Sequence, residues 1–281
     1  MKQIELKEIQ KIELDILKYI DDICQKNGID YTVVGGTALG TIRHNGFIPW
    51  DDDIDIGLTA KNYYKLLEIL KKDKNDQYKL LDPTVEETYL YPFAKLIDTR
   101  TSLVENNQKP INNYGIYVDI FLYYGLPNNK WYRLLYFYNL KKYQLYFSYM
   151  LQEKIPNSDG VKGCIKKIIK WNAKRIGKEK LIKRFEKLCN KYPIEKSDYC
   201  TSNWPCVSRK YQILYSDVFK KTMRHKFESI EVNIMEKYDK YLTNGYGDYM
   251  KLPPVEKRKA PHPSDVHWRK KTNERTKNKS R

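Results

Sequence analysis

In VVGGTALGTIRHNGFIPWDDDIDIGL, residues 33–58, four carboxylates occupy five positions: Asp51, Asp52, Asp53 and Asp55. Adjacent like charges repel, and a block of one sign is ordinarily a solvated segment. A bound cation removes that repulsion. From Asp52 to Leu58 acidic and apolar residues alternate with period two, which predicts a strand with Asp53 and Asp55 on one face and Ile54 and Ile56 on the other. A further acid, Asp119, interrupts the apolar run of Ile116, Val118, Ile120 and Phe121, where a lone carboxylate is costly unless it is paired or metal-bound. Asp53, Asp55 and Asp119 together form a hard oxygen site suited to Mg²⁺, with Mn²⁺ as the alternative; such an ion keeps waters and is shared with substrate phosphates. Two ions held this way clamp the attacking and leaving oxygens of a displacement at phosphorus. Asp51 and Asp52 are read as turn or cap residues.

The same stretch holds groups for the phosphate. Gly35 and Gly36 let backbone approach an anion closely, and the helix expected after them presents free N–H groups. Thr37 adds a hydroxyl. Arg43 and Lys95 are expected to neutralise the remaining phosphate charge, with a Lys95–Asp98 ion pair as the alternative for Lys95.

The elements that must carry these residues are readable from periodicity. Ile9, Ile12, Ile16, Ile20 and Ile23 mark a first amphipathic helix stopped at Asn27-Gly28. DYTVV reads as a strand running into the glycine pair, and TALGTIRHNG as a short helix closed by Gly46. A helix (KNYYKLLEILKKD) follows, then strands around YKLL, PFAKLID, TSLVE and GIYVDIFLYYGL. Residues 131–149 are helical by pattern and dense in aromatics, which are read first as core and second as a cage for a quaternary ammonium. Two Lys-rich helices come next, near 161–176 and 178–191. The expected organisation is an α/β (α+β) core with a mixed sheet over residues 1–126, a helical subdomain over 127–225, a segment returning to the core over 226–258, and a flexible basic tail over 259–281.

Composition narrows the partners. With 52 Lys and Arg against 35 Asp and Glu, the formal charge is +17, so an anion is expected: nucleic acid, an anionic membrane surface, a nucleotide or a phosphate-rich polymer. No charged-then-apolar leader and no apolar run of roughly 20 residues is present, from which a cytoplasmic protein is expected. The five cysteines fit no zinc spacing and read as reduced thiols. No RNP-like or helix-turn-helix signature supports nucleic-acid binding, and none is expected.

GGT followed by DID on a strand and then a single later Asp resembles the nucleotidyltransferase superfamily. GGTALGTIRHNGFIPWDDDIDIGL in particular resembles the signature of the LicD family of phosphorylcholine transferases, and PFAKLID, YVDIF and YGDYMKLPPVEKR are similar to later motifs of that family. The resemblance implies transfer of phosphocholine, or of another phospho-alcohol such as ethanolamine, glycerol or ribitol phosphate, from a CDP donor to a hydroxyl of a glycan, teichoic-acid or lipopolysaccharide precursor, with release of CMP. It also implies that Gly35, Gly36 and Thr37 hold the donor pyrophosphate, that Asp53 and Asp55 bind Mg²⁺, and that Asp119 completes the metal site and takes the acceptor proton. A lipid-linked acceptor would bring the protein to the inner face of an anionic membrane, with the basic tail as the contact. The rival outside enzymes is a nucleic-acid-binding protein that kept the fold and lost the chemistry. After LPP the family pattern would put adjacent histidines near Ala260–Pro263; this chain has His262 and then His267.

Overall fold

The computed structural model describes residues 3–153, 160–204, 213–260 and 264–269. Helix α1 (Leu6–Asn27) buries Ile16, Leu17 and Ile20, and Gly28 at φ +59° ends it. Strand β1 (Thr32–Val33) runs into α2 (Gly35–His44), and β2 (Asp55–Thr59) runs into α3 (Ala60–Lys72). Asn45, also left-handed at φ 55°, closes α2 one residue before the expected glycine. Strands β3 (Tyr78–Leu81), β4 (Ala94–Asp98), β5 (Thr101–Glu105) and β6 (Tyr117–Leu126) match the apolar runs that announced them.

The central sheet is mixed, in the order β1-β2-β6-β4-β3. Only β2 and β6 among these pair in parallel. Every residue of β6 is buried, as a strand flanked on both edges and covered on both faces requires. Its second half also accepts β7 (Tyr199–Ser202), which carries β8 (Leu214–Tyr215).

Helices α4 (Lys130–Leu151), α5 (Val161–Ile176) and α6 (Lys178–Cys189) pack on one another. Asn129 caps α4, its side-chain oxygen accepting from the Trp131 and Tyr132 N–H groups at 2.9 and 3.2 Å. β7 and β8 return to the sheet because β6 offers an open edge beyond β4 and because Cys200 and Thr201 supply a fully buried pair to fill it.

β9 (Thr222–Phe227) and β10 (Ile230–Met235) form a hairpin that packs against β1, the Met235 N–H donating to Thr32 Oγ1 at 2.9 Å. Arg224 fastens the hairpin to α1, its two Nη atoms reaching the Asp21 carboxylate at 2.6 and 2.9 Å. Helix α7 (Tyr238–Tyr246) follows. The expectation of a flexible tail from residue 259 fails for β11 (Ser264–Trp268), which pairs antiparallel with β5. Val266 there is buried opposite Leu103, and Arg269 donates to the Thr101 carbonyl, so an apolar side chain and the edge of β5 hold the segment. Residues 270–281, His262 and Cys206 lie outside the described residues; Cys24, Cys189 and Cys200 are buried free thiols.

Candidate active site

The acids gather where α2 begins beside β2. Gly35 opens α2 at φ +57°, and a Cβ there would fall 2.8 Å from Asp55 Oδ2; one on Gly36 would fall 2.6 Å from Asp51 Oδ2. Two carboxylates thus lie directly on the backbone of a helix N-terminus, where N–H groups and the helix dipole favour negative charge. The Gly35 N–H donates to the Tyr241 hydroxyl at 2.9 Å, which brings α7 to the same point. Thr37 is buried, and its Oγ1 accepts the Asp55 N–H at 2.8 Å, tying the first turn of α2 to the start of β2.

Asp55 and Asp119 are register partners on the parallel pair β2–β6, while Lys95 faces Asp119 across β4–β6. Lys95 is fully buried and its Nζ lies 2.5 Å from Asp119 Oδ1. Four rings surround that ammonium, with centroids at 3.3 Å for Tyr117, 5.1 Å for Tyr91, 5.2 Å for Phe93 and 6.0 Å for Tyr114. The alternative Lys95–Asp98 pair is not formed, because in this register Asp98 sits beyond the β4–β6 ladder and its carboxylate takes Arg100 instead, at 3.0 Å to Nε and 2.5 Å to Nη2. Burial pushes the Asp119 carboxyl up to about 6, against the pull of Lys95. Burial, and then the charges of Asp53, Asp119 and Asp51, hold Asp55 well above the usual carboxylate range.

The strand expected from Asp52 begins only at Asp55. β1 ends at Val33 and gives way to α2, and the Val34 N–H to the Asp55 carbonyl and the Asp119 N–H to the Ile54 carbonyl are the outermost ladder bonds. Asp53 therefore lies in the loop with Asp51 and Asp52 rather than on a strand face with Asp55. The three are half-buried, and one carboxylate oxygen from each lies within 4.8 Å of the others, a spacing able to hold a cation. Asp51, read from the sequence with Asp52 as a turn residue, closes a turn by donating its N–H to the Ile48 carbonyl at 2.9 Å, Asp52 follows it in the loop, and both enter this cluster.

Glu13 of α1 was not anticipated. It is 2 % exposed, its Oε2 has no hydrogen-bond partner among the described residues, and burial followed by the charges of Asp53, Asp52, Asp51 and Asp119 raises its carboxyl well above the usual range. One turn earlier Gln10 Nε2 donates to the Asp51 carbonyl at 2.8 Å, so the i, i+3 pair Gln10 and Glu13 presents one face of α1 to the acids. The donor set, all carboxylate oxygen with one buried carboxylate left unsatisfied, fits a hard divalent cation.

The rim comes from the late chain. Arg43 Nη1 donates to the Tyr249 carbonyl at 2.9 Å and its Nε to His44 Nε2 at 3.0 Å. The Arg258 guanidinium lies 5.6 Å from the Trp50 ring centroid. The aromatics of α4 do not form a cage: Tyr136 and Phe147 meet Tyr192 and Phe185, whereas Trp131, Tyr132 and Tyr138 are exposed. His267 sits in β11, opposite Ser102.

Residues 28–153 match the family model described as LicD/FKTN/FKRP, nucleotidyltransferase domain. The lipopolysaccharide cholinephosphotransferase LicD of Haemophilus influenzae is 30% identical over 275 residues, covering 95% of this chain and 99% of that protein. The uncharacterized protein RP689 of Rickettsia prowazekii is 33% identical over 129 residues, 46% of this chain and 45% of its own length. Human ribitol 5-phosphate transferase FKRP is 39% identical over 41 residues, 15% of this chain and 8% of that protein.

Proposed function

The chain belongs to the LicD family, and on that premise we propose that it transfers phosphocholine from CDP-choline to a hydroxyl of a cell-surface glycan precursor of the lipopolysaccharide or teichoic-acid kind. It is a transferase of phosphate-containing groups, as its full-length likeness to a cholinephosphotransferase supports. The observation that carries the reading is the meeting of the Gly35-Gly36 helix start with five aspartates and Glu13, a site that can face phosphate on one side and cations on the other.

In this reading Asp51, Asp52, Asp53, Asp55 and Asp119 would hold Mg²⁺, which would supply charge neutralisation at the phosphate oxygens when bound. The N–H groups at the start of α2 orient the donor pyrophosphate, and Arg43 and Arg258 border it. The acceptor oxygen forms its bond to the choline-bearing phosphorus as the P–O bond to CMP breaks, and CMP leaves with the electron pair. The acceptor's proton passes to a carboxylate of this cluster, for which Asp119, in register with Asp55 on the neighbouring strand, is the candidate by position. Lys95 keeps that carboxylate oriented rather than touching the donor, since it is buried against Asp119 and four rings.

The test is CMP release from CDP-choline, CDP-ethanolamine, CDP-glycerol and CDP-ribitol with Mg²⁺ or Mn²⁺ and a lipid-linked glycan acceptor. CDP-choline is expected to turn over fastest. A preference for CDP-ribitol would favour the second reading, which the 41-residue likeness to the ribitol 5-phosphate transferase supports. No CMP from any donor with either ion would overturn both.

A further inference from the structure

Helices α4 and α5 carry a feature that the transfer reaction does not use. Trp131, Leu135 and Tyr138 lie at steps of four and three along α4 and are 73%, 60% and 69% exposed. Ile165, Ile168 and Trp171 lie at steps of three along α5 and are 50%, 56% and 58% exposed. Those spacings set each trio in one stripe along its helix. A single exposed leucine is ordinary, but an apolar stripe left in water on each of two packed helices calls for a partner.

Charge selects among the partners. α4 has four Lys or Arg and α5 has six, and neither helix contains an Asp or Glu, although acids make up 35 of the 281 residues. A second copy seated on these helices would set cations against cations. An acidic or phosphate-bearing surface has the complementary sign. Nucleic acid has that sign too, and its bases stack on Trp and Tyr, but it offers nothing to Leu135, Ile165 and Ile168. A bilayer with acidic headgroups takes all three kinds of side chain: aliphatics at the acyl boundary, Trp and Tyr at headgroup level, and Lys over the headgroup charges.

We propose that the outer stripes of α4 and α5 are a docking surface for an anionic lipid bilayer. The contact is peripheral, because among the described residues no helix is long and apolar enough to cross a membrane. The surface stands independently of the donor and acceptor chemistry, and it differs from attraction through the C-terminal basic tail because it requires apolar insertion. A lipid-borne acceptor would be concentrated at such a surface.

The test is co-sedimentation of the full chain with vesicles of phosphatidylcholine, alone or mixed with phosphatidylglycerol, at low and high salt. The unsubstituted chain is expected to bind only the mixed vesicles and to keep part of that binding at high salt. Replacing Leu135, Ile168 and Trp171 together by Ser should weaken the partition by about tenfold or more, since each buried apolar side chain contributes on the order of 1 kcal/mol or more. These side chains are exposed, so the circular dichroism spectrum, thermal midpoint and CMP release with a soluble acceptor should be unchanged. The proposal is overturned if the triple variant binds mixed vesicles as well as the parent, which would leave the binding to charge alone. It is overturned equally if the substitutions abolish a concentration-dependent dimer or binding to single-stranded DNA while leaving vesicle binding intact. Should the triple variant fail to fold, Trp171→Ser alone, read by co-sedimentation with the same mixed vesicles at high salt, carries the same decision: unchanged binding rejects the surface.

Discussion

Glu13 holds the most expensive position in the site: a carboxylate oxygen with no hydrogen-bond partner, buried beside acids. A bound cation relieves that cost, and so does replacing the acid. Glu13→Gln is therefore expected to raise the thermal midpoint of the metal-free chain while weakening Mn²⁺ binding by about 10-fold or more. Calorimetric titration with Mn²⁺ checks the second half, and an unchanged affinity would remove Glu13 from the site. The same acids predict a pH dependence. Asp119, raised to about 6, and Asp55 and Glu13, also raised, have folded pKa values above their unfolded ones. All three contributions to stability are complete below the unfolded carboxylate range of about 4; that of Asp119 is lost as pH rises through about 6, and those of Asp55 and Glu13 as pH rises through their own raised ranges. The metal-free protein should lose melting temperature across that window, and added Mg²⁺ should restore more of it at pH 7 than at pH 5, because the cation competes with protons. A midpoint equally insensitive to Mg²⁺ at both pH values would contradict the assignment. Asp55 and Asp119 were legible in the sequence because each interrupts an apolar pattern. Glu13 broke the apolar stripe of α1 in the same way, between Ile12 and Ile16, but one acid in an amphipathic helix is easily read as surface. The partner of Lys95 was not legible, because it depends on the register of two strands 24 residues apart in sequence.

Among the elements, the junction of α2 with β2 sets the site's shape. Gly35→Ala would place a side chain in the left-handed region and 2.8 Å from Asp55 Oδ2, so both the backbone and the carboxylate would have to shift. The expected loss is about 1–3 kcal/mol in urea unfolding, with a larger proportional loss of CMP release. A variant with parental stability would show that this turn has another conformation open to it. Period and turn chemistry made α1, α2, α3 and strands β3 to β6 readable in advance, each within a few residues. Two boundaries escaped for one reason: what ends or begins a strand is its neighbour. β2 starts at Asp55 because β1 has already turned into α2, and β11 exists because β5 offers an edge, and neither fact is local to the segment concerned. The aromatics of α4 were dense enough to suggest a cage, yet helical spacing spreads them between the α6 interface and solvent, so no single point gathers them.

Across the whole molecule, the most protected structure should be the middle of β6, which pairs with β2, β4 and β7 and is buried throughout. Amide exchange followed by mass spectrometry is expected to place residues 118–122 among the slowest and the two-stranded β5–β11 pair well ahead of them, since a small sheet opens without disturbing the large one. Exchange from β6 as fast as from β11 would mean that the central sheet is not the cooperative unit.

The contacts from Tyr241 to Gly35, from Tyr249 to Arg43 and from Arg258 to Trp50 each join positions more than 200 residues apart in sequence. During synthesis the glycine pair and the four aspartates of residues 51–55 leave the ribosome more than 180 residues ahead of Tyr241, Tyr249 and Arg258, the groups that finish their surroundings. A nascent chain that has not reached Arg258 can build the sheet but not the rim, and closing so long a loop is slow. A translation product interrupted before Arg258 would therefore hold the acids without the rim that borders them.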